Sequence, residues 1–129
     1  MPEKTVADIM VKEVLTVEKN ETIEEAVMKM NMKKVGAIVV TDQGVPVGIF
    51  TERDILRNVV LQSLQVKHDK VVSVFTPRLV TIDSTASVRE AAKRMIEGGF
   101  RHTPVSKDGK IVGMVSARDV LIALADLAR

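Results

Sequence analysis

The chain has no cysteine, no tryptophan and no tyrosine, and only two histidines, His68 and His102, among its 129 residues. The missing thiols exclude disulfides, thiolate metal sites and a cysteine nucleophile. The histidines lack a metal-ligand spacing, so a zinc site would have to gather carboxylates from afar. Aromatic residues make up 2% of the chain, which leaves almost no stacking platform for single-stranded nucleic acid. No apolar run approaches the roughly 18 residues of a membrane span. The Met1-Pro2-Glu3-Lys4 start is polar and carries no signal-peptide pattern, so the expected compartment is the cytoplasm. Nothing in the sequence supplies a nucleophile, a base and an orienting group together, and the expectation is a protein that is not an enzyme.

What is present suits one compact module. A 14.2 kDa chain with 46% hydrophobic and 28% charged residues has enough apolar material for a core without staples. The net charge of +2 is unevenly placed: residues 1–65 carry a net −2 and residues 66–129 a net +4. That mild excess fits one anionic ligand better than a nucleic-acid groove.

The informative feature is an internal repeat. Sliding the chain on itself by 65 positions aligns Thr16 with Thr81, Glu25-Ala26 with Glu90-Ala91, and Met30 with Met95. The same offset, without a gap, superposes Val47-Gly48 on Val112-Gly113, Arg53-Asp54 on Arg118-Asp119, and Leu56 on Leu121. Each copy opens on a short apolar strand, Val14–Val17 or Leu79–Ile82. Thr22 with Glu25 and Ser87 with Glu90 form capping-box patterns at a helix start. Ile23, Ala26, Val27 and Met30, like Val88, Ala91, Ala92 and Met95, then recur at helical spacing, and Gly98-Gly99 ends the second of these helices.

Two β-rich runs joined by a Gly-containing turn follow in each copy: Ala37–Thr41 with Val45–Phe50, and His102–Ser106 with Lys110–Val115. A last helix begins after Thr51 or Ser116. The predicted fold is therefore α+β, two βαββα repeats packed sheet to sheet about a pseudo-two-fold axis. The first repeat covers 5–61, a polar linker 62–70 and the second repeat 71–127. Ligand clefts are expected where the two sheets meet.

On pattern alone, Thr51-x-x-Asp54 and Ser116-x-x-Asp119 are helix caps: a hydroxyl before the helix and an acid in its first turn. The same geometry is also an anion site. Gly44-x-x-x-Gly48 and Gly109-x-x-x-Gly113 lack the Gly-Lys-Ser/Thr of a phosphate loop and read as hairpin glycines. Met28, Met30, Met32 and Met95 read as packing residues, and His68 as a solvated linker residue.

These residues resemble the cystathionine beta-synthase (CBS) domain, arranged in tandem as a Bateman module. The resemblance runs from about Thr5 to Leu127. It rests on Gly48-Ile-Phe-Thr51-Glu-Arg-Asp54, Gly113-Met-Val-Ser116-Ala-Arg-Asp119, the lead-in Asp8-Ile9-Met10, and Arg101-His102-Thr103-Pro104-Val105. The family binds adenosine-containing ligands between paired repeats and regulates enzymes, transporters and channels. The resemblance implies that Asp119 and Asp54 hold ribose hydroxyls, with Ser116 and Thr51 beside them. It places Arg101 and His102 at phosphate, and Thr103 and Pro104 in the same strand entry. Arg118 and Arg53 are candidates for phosphate or subunit contact, although exposure or an ion pair is the plainer reading. Thr16, Thr81, Gly36, Ala37 and Ile38 complete the implied lining.

The first copy departs from the pattern, since Gly36-Ala37 replace Arg101-His102 and Val39 replaces Pro104. The expected function is a regulatory module that binds AMP, ADP or ATP, with the nucleotide as regulatory ligand and no catalytic cofactor. S-adenosylmethionine or a related nucleoside is the rival ligand. The expected partners are an effector protein and a second copy of the chain, with Leu121, Ile122, Leu124, Ala125 and Leu127 offering an apolar helix for the dimer. The rival functions are nucleic-acid binding through the basic second half, and a structural dimerisation module with vestigial clefts.

Overall fold

The structure, a computed structural model, describes residues 3–127, with the side chain of Leu127 outside the described set. Met1 and Pro2 of the polar start also lie outside it. The chain is mixed α+β and contains two repeats, each with a three-stranded sheet and helices.

The elements divide into two compact units. One is Leu15–Leu79; the other joins the residues up to Val14 with those from Val80 onward. The short helix α1 (Val6–Ile9) belongs to the latter unit. The Leu15–Leu79 unit holds β1 (Thr16–Glu18), α2 (Ile23–Lys33), β2 (Ala37–Asp42), β3 (Val45–Thr51) and α3 (Glu52–Asp54). Beyond α3 the helix continues as a π-helix over Ile55–Val60, and a 3-10 turn follows at Val71–Ser73. The other unit holds β4 (Ile82–Asp83), α4 (Val88–Gly98), β5 (His102–Lys107), β6 (Lys110–Ser116) and α5 (Ala117–Leu127). The last helices are thus unequal: π-wound in the first repeat, α-helical in the second.

Local chemistry accounts for the boundaries. The Thr22 hydroxyl accepts the Glu25 N–H at 3.2 Å and the Ser87 hydroxyl accepts the Glu90 N–H at 3.0 Å, which caps α2 and α4. Helix α4 stops at Gly99, left-handed at φ +68°, whereas α2 stops at Lys34, which adopts φ +54° without glycine's freedom. Both hairpins turn on two residues with positive φ, Gln43-Gly44 and Asp108-Gly109. That is the primed turn whose twist matches the flanking strands.

In each sheet the middle strand pairs parallel to the first and antiparallel to the third, in the orders β1-β2-β3 and β4-β5-β6. Strand alternation sends Val17, Ile38, Val40 and Phe50 into one core with Ile23, Ala26 and Met30 of α2. Val105 and Val115 face α4 residues Val88, Ala91 and Met95 in the other.

Each core is closed by the lead-in segment of the other repeat. Val71 and Val74, 0% and 3% exposed, complete the core of the first repeat, and Val6 completes that of the second. The backbones lock reciprocally. Thr76 and Ile49 exchange hydrogen bonds at 2.9 and 3.1 Å, and Val11 and Met114 at 2.8 and 3.0 Å.

This crossing corrects the reading of the glycines. Gly44 and Gly109 serve the hairpin turns, but Gly48 and Gly113 lie inside β3 and β6, beneath the lead-ins. A Cβ at Gly48 would stand 2.2 Å from the Thr76 carbonyl oxygen, and one at Gly113 would stand 2.4 Å from Met10 Sδ.

Candidate functional site

The end of β6 and the start of α5 carry the second motif. The Ser116 N–H donates to Asp119 Oδ2 at 2.9 Å, and the Asp119 N–H donates back to Ser116 Oγ at 3.1 Å. The cap reading of this motif therefore holds, and the Asp carboxylate keeps a second oxygen. Among the described residues, no donor meets Asp119 Oδ1. Asp119 is half-buried and lines a depression of about 200 Å3 with Lys4, Ile9, Ile122, Ala123 and Asp126.

Sheet register brings the charged strand entry to the same place. His102 is the direct neighbour of Ser116 in the β5–β6 ladder, and the Ala117 N–H donates to the Arg101 carbonyl at 2.8 Å. Arg101 is exposed and His102 half-buried. A guanidinium, an imidazole, a hydroxyl and a carboxylate thus share one end of the sheet. That set offers donors for an anion and an acceptor for hydroxyl groups.

The first motif has the same frame and a different chemistry. The Thr51 N–H donates to Asp54 Oδ2 at 2.9 Å, Ala37 neighbours Thr51 in the ladder, and the Glu52 N–H donates to the Gly36 carbonyl at 3.0 Å. Here the other carboxylate oxygen is taken, because the Thr76 hydroxyl donates to Asp54 Oδ1 at 3.0 Å. Asp54 is only 7% exposed.

The remaining candidates fall into three places. Arg53 and Arg118 are exposed on the first turns of their helices. Thr16 of β1 pairs with Val39 of β2, which faces Ile49 of β3, and Thr81 directly precedes β4. Pro104 is buried on the sheet face that His102 shares, whereas Ile38 and Thr103 point the other way, toward the helices. Ile38 is fully buried in its core. Thr103, its counterpart, is 4% exposed, and its hydroxyl has no hydrogen-bond partner among the described residues. Such an orphan hydroxyl carries a real desolvation cost.

Thr76, Lys4 and Asp126 lie outside the motifs read from the sequence, and Ile9 enters there only within the lead-in Asp8-Ile9-Met10. The 65-residue offset holds a signal for the first of these, since it superposes Thr76 on Val11 and so exposes an unequal pair. Among the described residues, no three His, Asp or Glu side chains gather as metal ligands would. No helix among them is long and apolar enough to cross a membrane.

A repeated βαββα unit, two Ser/Thr-x-x-Asp helix starts and a lead-in crossing to the other repeat define a tandem module of one class. The chain belongs to the CBS domain family, whose model matches residues 6–61 and 71–126. It is 37% identical over 110 residues to the CBS domain-containing protein CBSX3, mitochondrial, of Arabidopsis thaliana, covering 81% of this chain and 53% of that protein. The chain spans about half or less of the length of the first curated relatives it matches. It superposes on a protein with CBS domains from Burkholderia ambifaria MC40-6 with a TM-score of 0.92 and 32% identity, covering 98% of this chain and 97% of that one. It also shares the fold of the CBS domain pair of protein MJ0100, solved with 5′-methylthioadenosine and S-adenosyl-L-methionine, at TM-score 0.86 and 24% identity, covering 98% and 99%. None of these relatives carries an enzymatic name.

Proposed function

We propose that the chain is a regulatory module that binds an adenosine-containing ligand, AMP, ADP or ATP, at its second repeat and reports occupancy to a partner protein. The observation that carries this reading is Asp119 Oδ1, an acceptor that no donor meets among the described residues, at a helix start whose Ser116 pairs with His102 of the charged strand entry. An ionised carboxylate accepts ribose hydroxyls with about 1.5–3 kcal/mol for each charge-assisted hydrogen bond. Arg101 supplies a permanently charged planar fork for phosphate, and His102 a donor whose charge follows pH. The adenosine ligands of the MJ0100 pair support the ligand class, and S-adenosylmethionine is the rival within it. The ligand signals by binding one arrangement of the chain better than another.

The same reading takes the chain to act without catalysis in the cytoplasm and to pair with itself. Leu121 and Ile122, 66% and 52% exposed on α5, leave apolar surface for a second copy to cover. The deciding experiment is a thermal-shift titration with AMP, ADP, ATP and S-adenosylmethionine. Ligand at about 100 times its Kd adds about 2.7 kcal/mol, which is a shift of several degrees. Absence of any shift at millimolar adenosine compounds overturns the proposal. An oligonucleotide whose binding weakens steeply with salt would favour the nucleic-acid rival instead.

A further inference from the structure

We infer that Thr76 is a built-in occupant of the first motif, so that the chain carries one adenosine site, at Asp119, rather than two; this rests on the ligand class proposed above. The two motifs share the same cap and the same lead-in crossing, although the helix beyond Asp54 is π-wound and the one at Asp119 is α-helical. Their carboxylates accept the N–H of Thr51 and of Ser116 at the same 2.9 Å through Oδ2. The lead-ins cross at the same rung, Thr76 against Ile49 and Val11 against Met114, positions the 65-residue offset superposes.

What differs at the carboxylates is one hydroxyl. Thr76 Oγ1 donates to Asp54 Oδ1 at 3.0 Å, and Asp54 is 7% exposed. The Val11 side chain, at the equivalent position, has no hydroxyl to donate, and Asp119, whose Oδ1 meets no donor among the described residues, lines the depression with Lys4 and Ile9. Asp54 Oδ1 could accept a second donor, but with the residue only 7% exposed the approach is closed, so a ribose hydroxyl would have to displace the Thr76 hydroxyl. That exchanges one O–H···O bond for another, with no net gain to set against ordering a ligand. At Asp119 the same bond is new.

The inference makes a residue 22 positions from Asp54 the determinant of stoichiometry. Exchanging the two lead-in side chains should therefore exchange the behaviour of the motifs. Calorimetric titration of the full chain with AMP should give one ligand per chain. Val11→Thr, which installs the hydroxyl, should weaken that binding by about 10-fold or more, the worth of one hydrogen bond of ordinary strength. Thr76→Val should add a second, weaker site for adenosine, the probe that needs no phosphate donors at Gly36-Ala37. Thr76→Ser, which keeps the hydroxyl, should behave as the natural chain.

Two ligands per unmodified chain, or unchanged binding in both Val11→Thr and Thr76→Val, would overturn the inference and leave the ligand class standing. Failure of every adenosine compound to bind overturns the ligand class. In that event a double-mutant cycle of Thr76→Val with Asp54→Asn, read by denaturant unfolding, decides the occupancy. Non-additive losses uphold Thr76 as the occupant of Asp54, and additive ones remove it.

Discussion

Gly48 lies directly beneath the backbone of Thr76, with a distance of 2.2 Å between the position a Cβ would take and the Thr76 carbonyl oxygen. The Phe75 ring is also within 2.6 Å of that point. A backbone carbonyl held by the Thr76–Ile49 bonds cannot step aside without breaking them. Gly48→Ala should destabilise the chain by about 2–3 kcal/mol, the upper range for overpacking. At Gly113 the nearest atom is the flexible end of Met10, and the Val11 carbonyl stands at 3.0 Å, so Gly113→Ala should cost about half as much. Urea unfolding of both variants checks the order, and an equal cost would count against this account of the motif glycines.

Thr103 gives the opposite sign. Its buried hydroxyl has no partner among the described residues, and the equivalent position in the first repeat is the core residue Ile38. Thr103→Val keeps the shape and removes the orphan group, so it should stabilise the unliganded chain by about 1–2 kcal/mol. The melting temperature should rise in the absence of AMP, and a fall would show that the hydroxyl has a partner after all.

The contrast between Asp54 and Thr76 shows what the sequence can and cannot display. The Thr51-x-x-Asp54 and Ser116-x-x-Asp119 caps are legible because capping is local: the donor and acceptor lie three residues apart. The hairpin turns at Gln43-Gly44 and Asp108-Gly109 are legible for the same reason. The Thr76–Asp54 bond joins residues 22 apart, and Val11 meets Met114 from across most of the chain. No periodicity encodes such a pairing. A repeat offset marks which pieces are duplicated, not which duplicated pieces pack together. Gly48 therefore reads in the sequence as a hairpin glycine, whereas the close approach it permits comes from the lead-in.

Glu18 offers a test by pH. Its carboxylate accepts the Thr41 hydroxyl and the N–H groups of Gln43 and Gly44, and so ties β1 to the hairpin turn. The Thr41 hydroxyl first, then the Gly44 N–H, hold this carboxyl below its ordinary value of 4.5. A depressed folded-state pKa means stability that is present above the unfolded value and is lost as pH falls through the folded one. Glu18→Gln should therefore be less stable than the natural chain at pH 7, and the gap should close below about pH 4.5. Asp8 and Asp83, also held low by threonine hydrogen bonds, should keep a residual acid slope in the variant. Thermal melts from pH 3 to 7 read the gap directly, and a gap that does not change with pH would rule out the carboxylate clamp.

Asp119→Asn separates a cap from a ligand contact. An amide oxygen still accepts the Ser116 N–H, so the helix start should survive with a loss of about 1 kcal/mol or less. The loss of charge should weaken AMP binding by about 10–100-fold if the free oxygen meets ribose. Affinity within 2-fold of the natural chain, measured by calorimetry, would reduce Asp119 to its capping role.

The interlocked lead-ins set the last prediction. A fragment cut at the duplication, residues 1–65, retains β1, α2, β2 and β3 but discards Val71 and Val74, which are 0% and 3% exposed in the intact core. Fully burying a valine is worth about 1.5–3 kcal/mol, so losing two from a domain of this size removes much of its margin. A fragment of the same length, residues 15–79, keeps both valines, the Thr76–Ile49 pair and the Thr76–Asp54 bond. It discards the residues up to Val14 and those from Val80 onward, which belong to the other unit. Residues 15–79 should unfold cooperatively in urea, and residues 1–65 should show a lower midpoint or no cooperative transition. Equal midpoints for the two fragments would mean that the lead-in is dispensable to the core it closes.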